Sequence, residues 1–202
     1  MRTRQLQLEL PTWGGKRKGA GRKPKGRKAG VPHEPRPHFS SRHPVHVTLR
    51  TLSGAGYLRS HRLFRVIEEA LREAKLRFGV RIVHFSIQGN HLHLLVEAGS
   101  PAALGRGMQG LAIRIARGIN RAQARRGKVF ADRYHARPLA TRREAANALR
   151  YVLENHRHHL RADVAPAGAD PCSSAIWMTL HLTPDAPVVP ARTWLLRHAG
   201  DA

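Results

Sequence analysis

Residues 80–96 read VRIVHFSIQGNHLHLLV, an apolar run that is broken only by Gly89 and Asn90. Such a pair between two apolar segments is typical of the two-residue turn that closes a β-hairpin. The stretch therefore predicts two antiparallel strands. Three side chains of the first strand are expected to share one face: Val83, Phe85 and Ile87.

His91 and His93 stand two residues apart in the second predicted strand. Successive side chains of a strand point to opposite faces, so the two imidazoles are expected side by side. Neutral imidazole is a common ligand of divalent cations, and two residues placed in this way can share one ion. The pair predicts a metal site, and a purely structural histidine pair is the alternative.

A helix with a tyrosine follows about sixty residues later. Thr141 and Glu144 have the threonine-x-x-glutamate spacing of a capping box, which marks a helix start. Tyr151 and Asn155 are four residues apart and so share one face of this helix. A phenol has a pKa of about 10 and needs a cation nearby to act as a nucleophile at neutral pH. The alternative is that Tyr151 only packs, with its hydroxyl in water.

These two features together resemble a known family. Residues 89–96, GNHLHLLV, resemble the histidine-hydrophobe-histidine motif of the HUH nucleases, and residues 151–155, YVLEN, resemble the tyrosine helix of their single-tyrosine transposase branch. The similarity is greatest to the REP-associated tyrosine transposases and covers residues 43–160, the expected catalytic domain. The combination is much more specific than either motif alone.

The resemblance implies a function for each motif residue. His91 and His93 would be ligands of Mg²⁺ or Mn²⁺, Tyr151 the nucleophile, and Asn155 the third ligand, where the family commonly carries glutamine. Attack of the tyrosine on single-stranded DNA beside a hairpin would leave a 5′-phosphotyrosyl enzyme and a free 3′-hydroxyl. A second strand can then displace the tyrosine, so cutting and joining need no nucleotide cofactor. No glycine-rich phosphate loop is present in the sequence.

The order of the predicted elements agrees with a ferredoxin-like fold of the mixed α/β (α+β) class. Residues 45–49 alternate as a first strand, Ser60 can cap a first helix, and Ser100 with Pro101 can start a second one. Residues 129–139 are the expected last strand before the tyrosine helix. The resulting order, β-α-β-β-α-β-α, is an antiparallel ferredoxin-like sheet with one added helix. The apolar face predicted for the first helix comprises Leu63, Val66, Ile67, Ala70, Leu71, Ala74 and Phe78.

The charge of the chain predicts a nucleic-acid partner. Its formal net charge is +23, with 36 Lys and Arg against 13 Asp and Glu. Binding to a polyanion should therefore fall steeply as salt rises. Aromatic residues make up only 5% of the chain, which disfavours extensive base stacking.

Two basic segments are the expected DNA contacts. Residues 1–42 are expected to form a glycine-rich basic arm and a proline-rich linker. Within the arm, residues 21–24, GRKP, resemble an AT-hook apart from the inserted Lys23, and a basic tail without sequence preference is the alternative. The basic residues expected to bind DNA from this arm are Lys16, Arg17, Lys18, Arg22, Lys23, Lys25, Arg27 and Lys28. The second helix contributes Arg114, Arg117, Arg121 and Arg125, and no acid between residues 100 and 128 balances them. Its glycines, at positions 105, 107, 110 and 118, argue against an unbroken helix.

The remaining predictions concern the C-terminal segment, the single cysteine and the location of the protein. Residues 161–202 are expected to form a tail on or near the core, with Trp177 and Trp194 as anchors. Cys172 is the single cysteine, so an internal disulfide is excluded. The absence of a signal peptide and of a long apolar stretch favours a soluble cytoplasmic protein associated with the bacterial nucleoid, with no membrane partner.

Several alternatives stay open at this stage. The chain can be a replication initiator or relaxase-like HUH nuclease, or a non-catalytic DNA- or RNA-binding protein on the same scaffold. It can be a monomer or a homodimer. His84 is expected near the site with no assigned function, and His156, His158 and His159 are expected to lie at a helix end and contact phosphate.

Overall fold

The computed structural model of the chain describes residues 38–154, 168–179 and 183–201, all within one compact unit, His33–Ala202. The arm residues Lys16 to Lys28 lie outside the described residues. The same holds for Asn155 and for the three histidines at 156, 158 and 159.

Four strands and three long helices build the described core. The strands are β1 (Val45–Arg50), β2 (Val80–Ile87), β3 (His91–Ala98) and β4 (His135–Pro138). The helices are α1 (His61–Ala74), α2 (Pro101–Ala122) and α3 (Arg142–Glu154), followed by the short α4 (Ala175–Thr179) and α5 (Trp194–Arg197).

The sheet is antiparallel with the strand order β2-β3-β1-β4. Helices α1 and α2 occupy the two crossovers, which makes the core ferredoxin-like. The fold class predicted from the sequence is therefore confirmed.

The two faces of the sheet carry different layers. Leu92, Leu94 and the odd-numbered positions of β1 pack with α1 and α2 in the larger core. Leu95 points the other way and packs with Ala148 and Val152 of α3 in a second cluster. Because side chains alternate along β3, His91 and His93 lie on the α3 side.

The β2–β3 hairpin turns where the sequence predicted. The Gln88 N–H donates to the His91 carbonyl at 2.8 Å, with Gly89 and Asn90 between them. Neither turn residue has a positive φ. Position 89 is instead closely packed, because a Cβ there would lie 3.0 Å from Tyr57 Cε2.

One side chain of β2 is on the face opposite to the predicted one. Val83 packs with the α3 cluster, whereas Phe85 and Ile87 pack in the α1–α2 core. The pairing of β2 with β3 shifts register between Ile82 and His84, as in a β-bulge. An extra residue in one strand reverses the alternation on one side of it.

Two predicted element boundaries were too long. Helix α1 ends at Ala74, and Phe78 is 54% exposed with a φ of 57°, so it is not part of the helix face. The last strand is only His135–Pro138, because residues 131–133 form a bend. Before that bend, Phe130 makes a single bridge to Thr51.

Helix α2 is continuous from Pro101 to Ala122 in spite of its glycines. Ser100 caps it by accepting from the Ala103 N–H at 3.1 Å, as predicted. The predicted second helix is confirmed, and two of its glycines serve close contacts. A Cβ at Gly107 would lie 2.4 Å from Val80 Cγ2, and one at Gly118 would lie 2.5 Å from Val66 Cγ1.

The described parts of the C-terminal segment bind along the outer edge of β2. The Ile87 N–H donates to the Cys172 carbonyl, and the Ser174 and Val189 N–H groups donate to Phe85 and Ile82 carbonyls, all within 2.9 Å. Trp177 is partly buried against the core. Trp194 is not an anchor, because it is 59% exposed, and Leu196 packs under α3 in its place.

Candidate active site

The two histidines of β3 lie together on the α3 side of the sheet. Their ring centroids are 4.7 Å apart at nearly right angles. His93 is only 5% exposed, whereas His91 at the strand start is half-buried. The strand thus presents two adjacent imidazoles, one deep and one nearer to solvent.

Helix α3 brings Tyr151 to this pair. The capping box is formed as predicted, since the Glu144 N–H donates to Thr141 Oγ1 at 3.1 Å and the Thr141 N–H donates to Glu144 Oε2 at 3.2 Å. With the helix start fixed and Val152 buried, the preceding residue, Tyr151, lies at the edge of the buried stripe and is 41% exposed. Its ring centroid is 5.0 Å from that of His93. The sequence-predicted tyrosine and histidine pair therefore meet in one place.

The cap carboxylate is held in its charged form. Hydrogen bonds from the Ala140 N–H and from Arg137 keep the pKa of Glu144 below its usual range. Arg137 Nη2 is 2.9 Å from Glu144 Oε1, which links β4 to the start of α3. The helix that carries the tyrosine is thus tied to the sheet at its first turn.

His46 and Thr48 of β1 complete the surroundings of His93. His46 Nε2 is 3.1 Å from His93 Nδ1, and Thr48 Oγ1 is 3.2 Å from the same atom. Thr48 is the cross-strand partner of His93, so the register of β1 against β3 sets both contacts. The His46 ring also lies edge-on to Tyr151, with centroids 5.9 Å apart.

His46 is neutral in this position. Burial lowers its pKa to about 4, and the positive charges of His135 and Arg137 add to the effect. A neutral imidazole has one donating and one accepting nitrogen. His46 can therefore accept a hydrogen bond from His93.

His91 has a partner in the hairpin turn. Asn90 Oδ1 lies 2.8 Å from His91 Nδ1. The backbone of Asn90 is fixed as well, because the N–H and the Oγ1–H of Thr51 both donate to its carbonyl oxygen at 2.9 Å. The hairpin turn therefore fixes the orientation of the His91 imidazole.

The donor set fits a divalent cation. Both imidazoles are contacted at Nδ1, and a ligand histidine that donates from one ring nitrogen presents the lone pair of the other to a metal. Among residues 38–154, 168–179 and 183–201, no three His, Cys, Asp or Glu side chains are grouped to hold a metal. His91 and His93 are therefore the two described side chains that could hold such an ion.

The surface around the site is basic. Arg50 is exposed and is the cross-strand partner of His91, while His135 pairs with Thr48. Glu97, farther along β3 on the same face, is engaged by the N–H groups of Arg192 and Thr193. An anionic ligand is therefore favoured beside the histidines.

The arginines of α2 lie on the other side of the sheet. Arg117 and Arg121 line a groove of about 700 Å³ between α1 and α2, away from Tyr151. Arg114 is paired with Glu73 of α1 at 2.7 Å, so the expectation that no acid balances it was wrong. The sequence window from 100 to 128 could not reveal a partner on another helix. Arg125 was predicted to lie on this helix, but α2 ends at Ala122, and Arg125 donates to the Lys128 carbonyl at 3.1 Å.

His84 is near the site face but enclosed. It is buried, with Nδ1 3.3 Å from Ser174 Oγ of the C-terminal segment. Burial lowers its pKa to about 4. It packs beneath that segment and is separate from the His91, His93 and Tyr151 cluster.

The sequence analysis missed His46, Thr48 and Asn90. The alternation of β1 was a usable signal, because it places His46 and Thr48 on the face opposite to Val45 and Val47. Their meeting with His93 depends on which strand lies beside β3, and that is a property of the fold.

Within the described residues, no helix is long and apolar enough to cross a membrane.

The site combines a ferredoxin-like sheet with a histidine pair that lies close to a tyrosine on an added helix. Residues 40–155 match the family model described as transposase, IS200-like. This match spans more than half of the chain, and the chain belongs to that family of DNA-cutting and DNA-joining enzymes. The family generally uses a divalent metal ion.

One solved structure has a similar fold, and a second match is weaker. A REP-associated tyrosine transposase bound to a REP hairpin is 12% identical, with a TM-score of 0.57 over 77% of this chain and 90% of that one. A putative transposase from Deinococcus radiodurans R1 is 18% identical, with a TM-score of 0.42 over 55% of this chain and 88% of that one. The comparison with curated protein sequences gave no match.

Proposed function

We propose that this protein nicks and rejoins single-stranded DNA beside a hairpin, with Tyr151 as the nucleophile. The observation that carries the proposal is the contact of the Tyr151 ring with His93, at a centroid distance of 5.0 Å. A packing role alone would not explain why Tyr151 contacts the histidine pair of β3 on a basic face of the sheet. Its partial exposure leaves room for a phosphate.

The proposed reaction is a transesterification. Tyr151 Oη loses its proton and forms a bond to a backbone phosphorus, and the bond from that phosphorus to the 3′-oxygen breaks. The 3′-oxygen takes up a proton and leaves as a hydroxyl, and the downstream strand stays on the enzyme as a 5′-phosphotyrosine. Attack by a 3′-hydroxyl of another strand reverses the step and releases Tyr151. The phosphodiester energy is kept throughout, so no nucleotide is consumed.

Mg²⁺ or Mn²⁺ would be held by His91 and His93, with Asn155 as the proposed third ligand. When bound, the ion would offset charge on the non-bridging phosphate oxygens. Asn155 follows the last residue of α3 and is four positions after Tyr151 in sequence. Arg50, beside His91 in register, adds a fixed positive charge for the same phosphate.

Hairpin DNA is the proposed partner for two reasons. The similar transposase structure is described as bound to a REP hairpin. The chain also carries a net charge of +23, enough to bind phosphate at several surfaces. Because the α2 arginines face away from Tyr151, they would contact DNA other than the cut phosphate, together with the basic residues of the 1–42 arm.

The test is a denaturing-gel assay with 5′- and 3′-labelled hairpin oligonucleotides, with and without Mn²⁺ or Mg²⁺. The wild-type protein should form a metal-dependent covalent adduct on the DNA that lies 3′ of the nick. Tyr151→Phe should lose the adduct completely. Tyr57→Phe, at another exposed tyrosine beside the hairpin turn, is the matched control and should retain it.

Two outcomes would contradict the proposal. An adduct that persists in Tyr151→Phe would mean that another residue is the nucleophile. Tight, salt-sensitive binding with no adduct on any hairpin would instead indicate a DNA-binding protein on a nuclease scaffold.

A further inference from the structure

His91 and His93 are both contacted at the same ring atom, Nδ1, by a side chain outside the pair. We propose that His46 and Asn90 are positioning residues, which hold the two histidines in the Nδ1–H form and so direct Nε2 of each toward the divalent cation. The inference rests on the proposed function, because it assigns positioning roles to two residues beside that proposed metal site. His46 and Asn90 would act on the cation only through His93 and His91.

His46 is placed for this by the sheet itself. It lies two residues before Thr48, the register partner of His93, and on the same face of β1. Its Nε2 is 3.1 Å from His93 Nδ1, and the two rings are tilted by 34° with centroids 5.2 Å apart. Nε2 of His46 therefore approaches the edge of the His93 ring at hydrogen-bond distance, where it can accept the Nδ1 proton. Thr48 Oγ1 offers a second acceptor to the same proton at 3.2 Å.

Asn90 is placed by the hairpin turn. Its main-chain oxygen accepts two hydrogen bonds from Thr51, which fix the backbone from which the Asn90 side chain extends. Oδ1 then reaches His91 Nδ1 at 2.8 Å. A turn at this position would be closed equally well by several small polar residues, and what asparagine adds is an acceptor at Nδ1 of the following residue.

The chemical reason is the single proton of a neutral imidazole. Either ring nitrogen can carry it, and only the nitrogen without it can bind a metal. An acceptor at Nδ1 places the proton there before the ion arrives, fixes the ring plane and raises the basicity of Nε2. Loss of such a partner in metal sites typically weakens metal affinity about 10–100-fold.

A ligand role for His46 fits the geometry less well. Its Nε2 is directed at a ring nitrogen of His93 at hydrogen-bond distance, rather than at a shared point between three rings. Within the described ranges, no three His, Cys, Asp or Glu side chains are grouped around one such point. The geometry favours a hydrogen-bond acceptor.

Two measurements on the full-length chain test the proposal. Long-range ¹H–¹⁵N NMR spectra of the metal-free protein report which ring nitrogen of His91 and His93 carries the proton. Titration with Mn²⁺, followed by electron paramagnetic resonance, gives the dissociation constant without any DNA. Thermal melts without metal show whether each variant is folded.

Paired variants separate the hydrogen bond from simple packing. His46→Leu should release His93 into a mixture of tautomers and weaken Mn²⁺ binding about 10-fold or more. His46→Gln, whose amide oxygen can reach the position of Nε2, should restore most of both signals. Asn90→Ala should act on His91 in the same way, and Asn90→Asp, which keeps an acceptor, should retain the Nδ1–H form.

Each other result has a defined meaning. Unchanged tautomers and Mn²⁺ affinity in folded His46→Leu and Asn90→Ala would overturn the proposal. Loss of Mn²⁺ binding in His46→Gln with the His93 tautomer intact would make His46 a direct ligand and also overturn it. If the wild-type protein bound no Mn²⁺, the metal-dependent function would fail, while the tautomers of the metal-free protein would still decide whether these two residues hold the histidines.

Discussion

Two histidines of the sheet, His46 and His84, are enclosed by protein, and the pKa of each is lowered to about 4, chiefly by burial. Both are therefore neutral at pH 7. In the unfolded chain each would titrate at about 6.5. The folded protein therefore binds protons at these two histidines less readily than the unfolded chain does.

Stability should consequently fall in acid. Between about pH 6.5 and pH 4 the unfolded chain binds more protons than the folded one, so the free energy of unfolding decreases as pH falls through this window. Above pH 6.5 the contribution is constant. Urea unfolding at several pH values should show this slope in the wild-type protein.

His84→Gln should make the slope shallower, because one of the two buried imidazoles is removed while a polar partner for Ser174 remains. His61→Gln, on the exposed first turn of α1, is the control and should keep the wild-type slope. An equally steep slope in His84→Gln would show that the pKa of His84 is the same in the folded and unfolded states and would contradict the prediction.

At the scale of elements, the glycines of α2 differ in what surrounds them. A Cβ at Gly107 would lie 2.4 Å from Val80 Cγ2 and 2.9 Å from Val80 Cβ, atoms of a short branched side chain that cannot swing away. A Cβ at Gly105, one helical position before Arg106, would meet nothing within 4 Å. Close approach of α2 to β2 therefore depends on one glycine and not on the other.

Alanine substitutions should separate these two cases. Gly105→Ala should stabilise the protein by up to about 1 kcal/mol, since alanine is the better helix former. Gly107→Ala gains the same propensity but must displace Val80, so it should be less stable than Gly105→Ala by about 1–3 kcal/mol. Chemical denaturation of both variants measures the difference, and equal stabilities would mean that α2 can shift away from β2 without cost.

Local signals in the sequence predicted the elements that depend on neighbouring residues. The hairpin at Gly89-Asn90, the serine cap at Ser100 and the capping box at Thr141 and Glu144 were all correct, because each is decided within a few residues. The histidine pair and Tyr151 were found in the same way, from spacing within one strand and one helix.

Features that depend on distant contacts were not predicted. The bulge that turns Val83 to the α3 side has no local marker, and the pairing of Arg114 with Glu73 joins two helices. The contact of His46 with His93 spans 47 residues and requires the order of strands in the sheet. The alternation of β1 could have indicated the face on which His46 lies, but it does not identify the partner of His46.

At the scale of the whole molecule, one buried ion pair fastens the C-terminal segment. Arg59 donates to both carboxylate oxygens of Asp170, at 2.6 and 2.9 Å, and to the Ile87 carbonyl at 2.8 Å. The Arg59 side chain is 7% exposed and that of Asp170 is inaccessible to solvent. The pair joins the start of α1, the end of β2 and the segment that follows residue 168.

Breaking this pair should be costly. Asp170→Asn leaves the Arg59 charge buried without its counter-ion, so the free energy of unfolding should fall by about 3–5 kcal/mol. Asp185→Asn, at an exposed aspartate of the same segment, should change it by less than about 0.5 kcal/mol. Urea titrations of the two variants compare them directly.

The double variant Arg59→Met with Asp170→Leu refines the test. Replacement of both charges by apolar groups of similar volume should recover much of the loss, because the penalty comes from an unpaired charge. A loss in Asp170→Asn no larger than in Asp185→Asn would show that the C-terminal segment is held by its other contacts.

The pairing of residues 172, 174 and 189 with the outer edge of β2 has a consequence during protein synthesis. β2 emerges from the ribosome long before its partners in the C-terminal segment. Until they follow, the nascent sheet presents an open strand edge, which is a template for aggregation and for pairing with another chain. A message cut short before codon 170 would yield a protein with the tyrosine and both histidines but with this edge uncovered. Such a product is a substrate for chaperones and proteases, so residues 172, 174 and 189 protect the folded sheet by covering this strand edge.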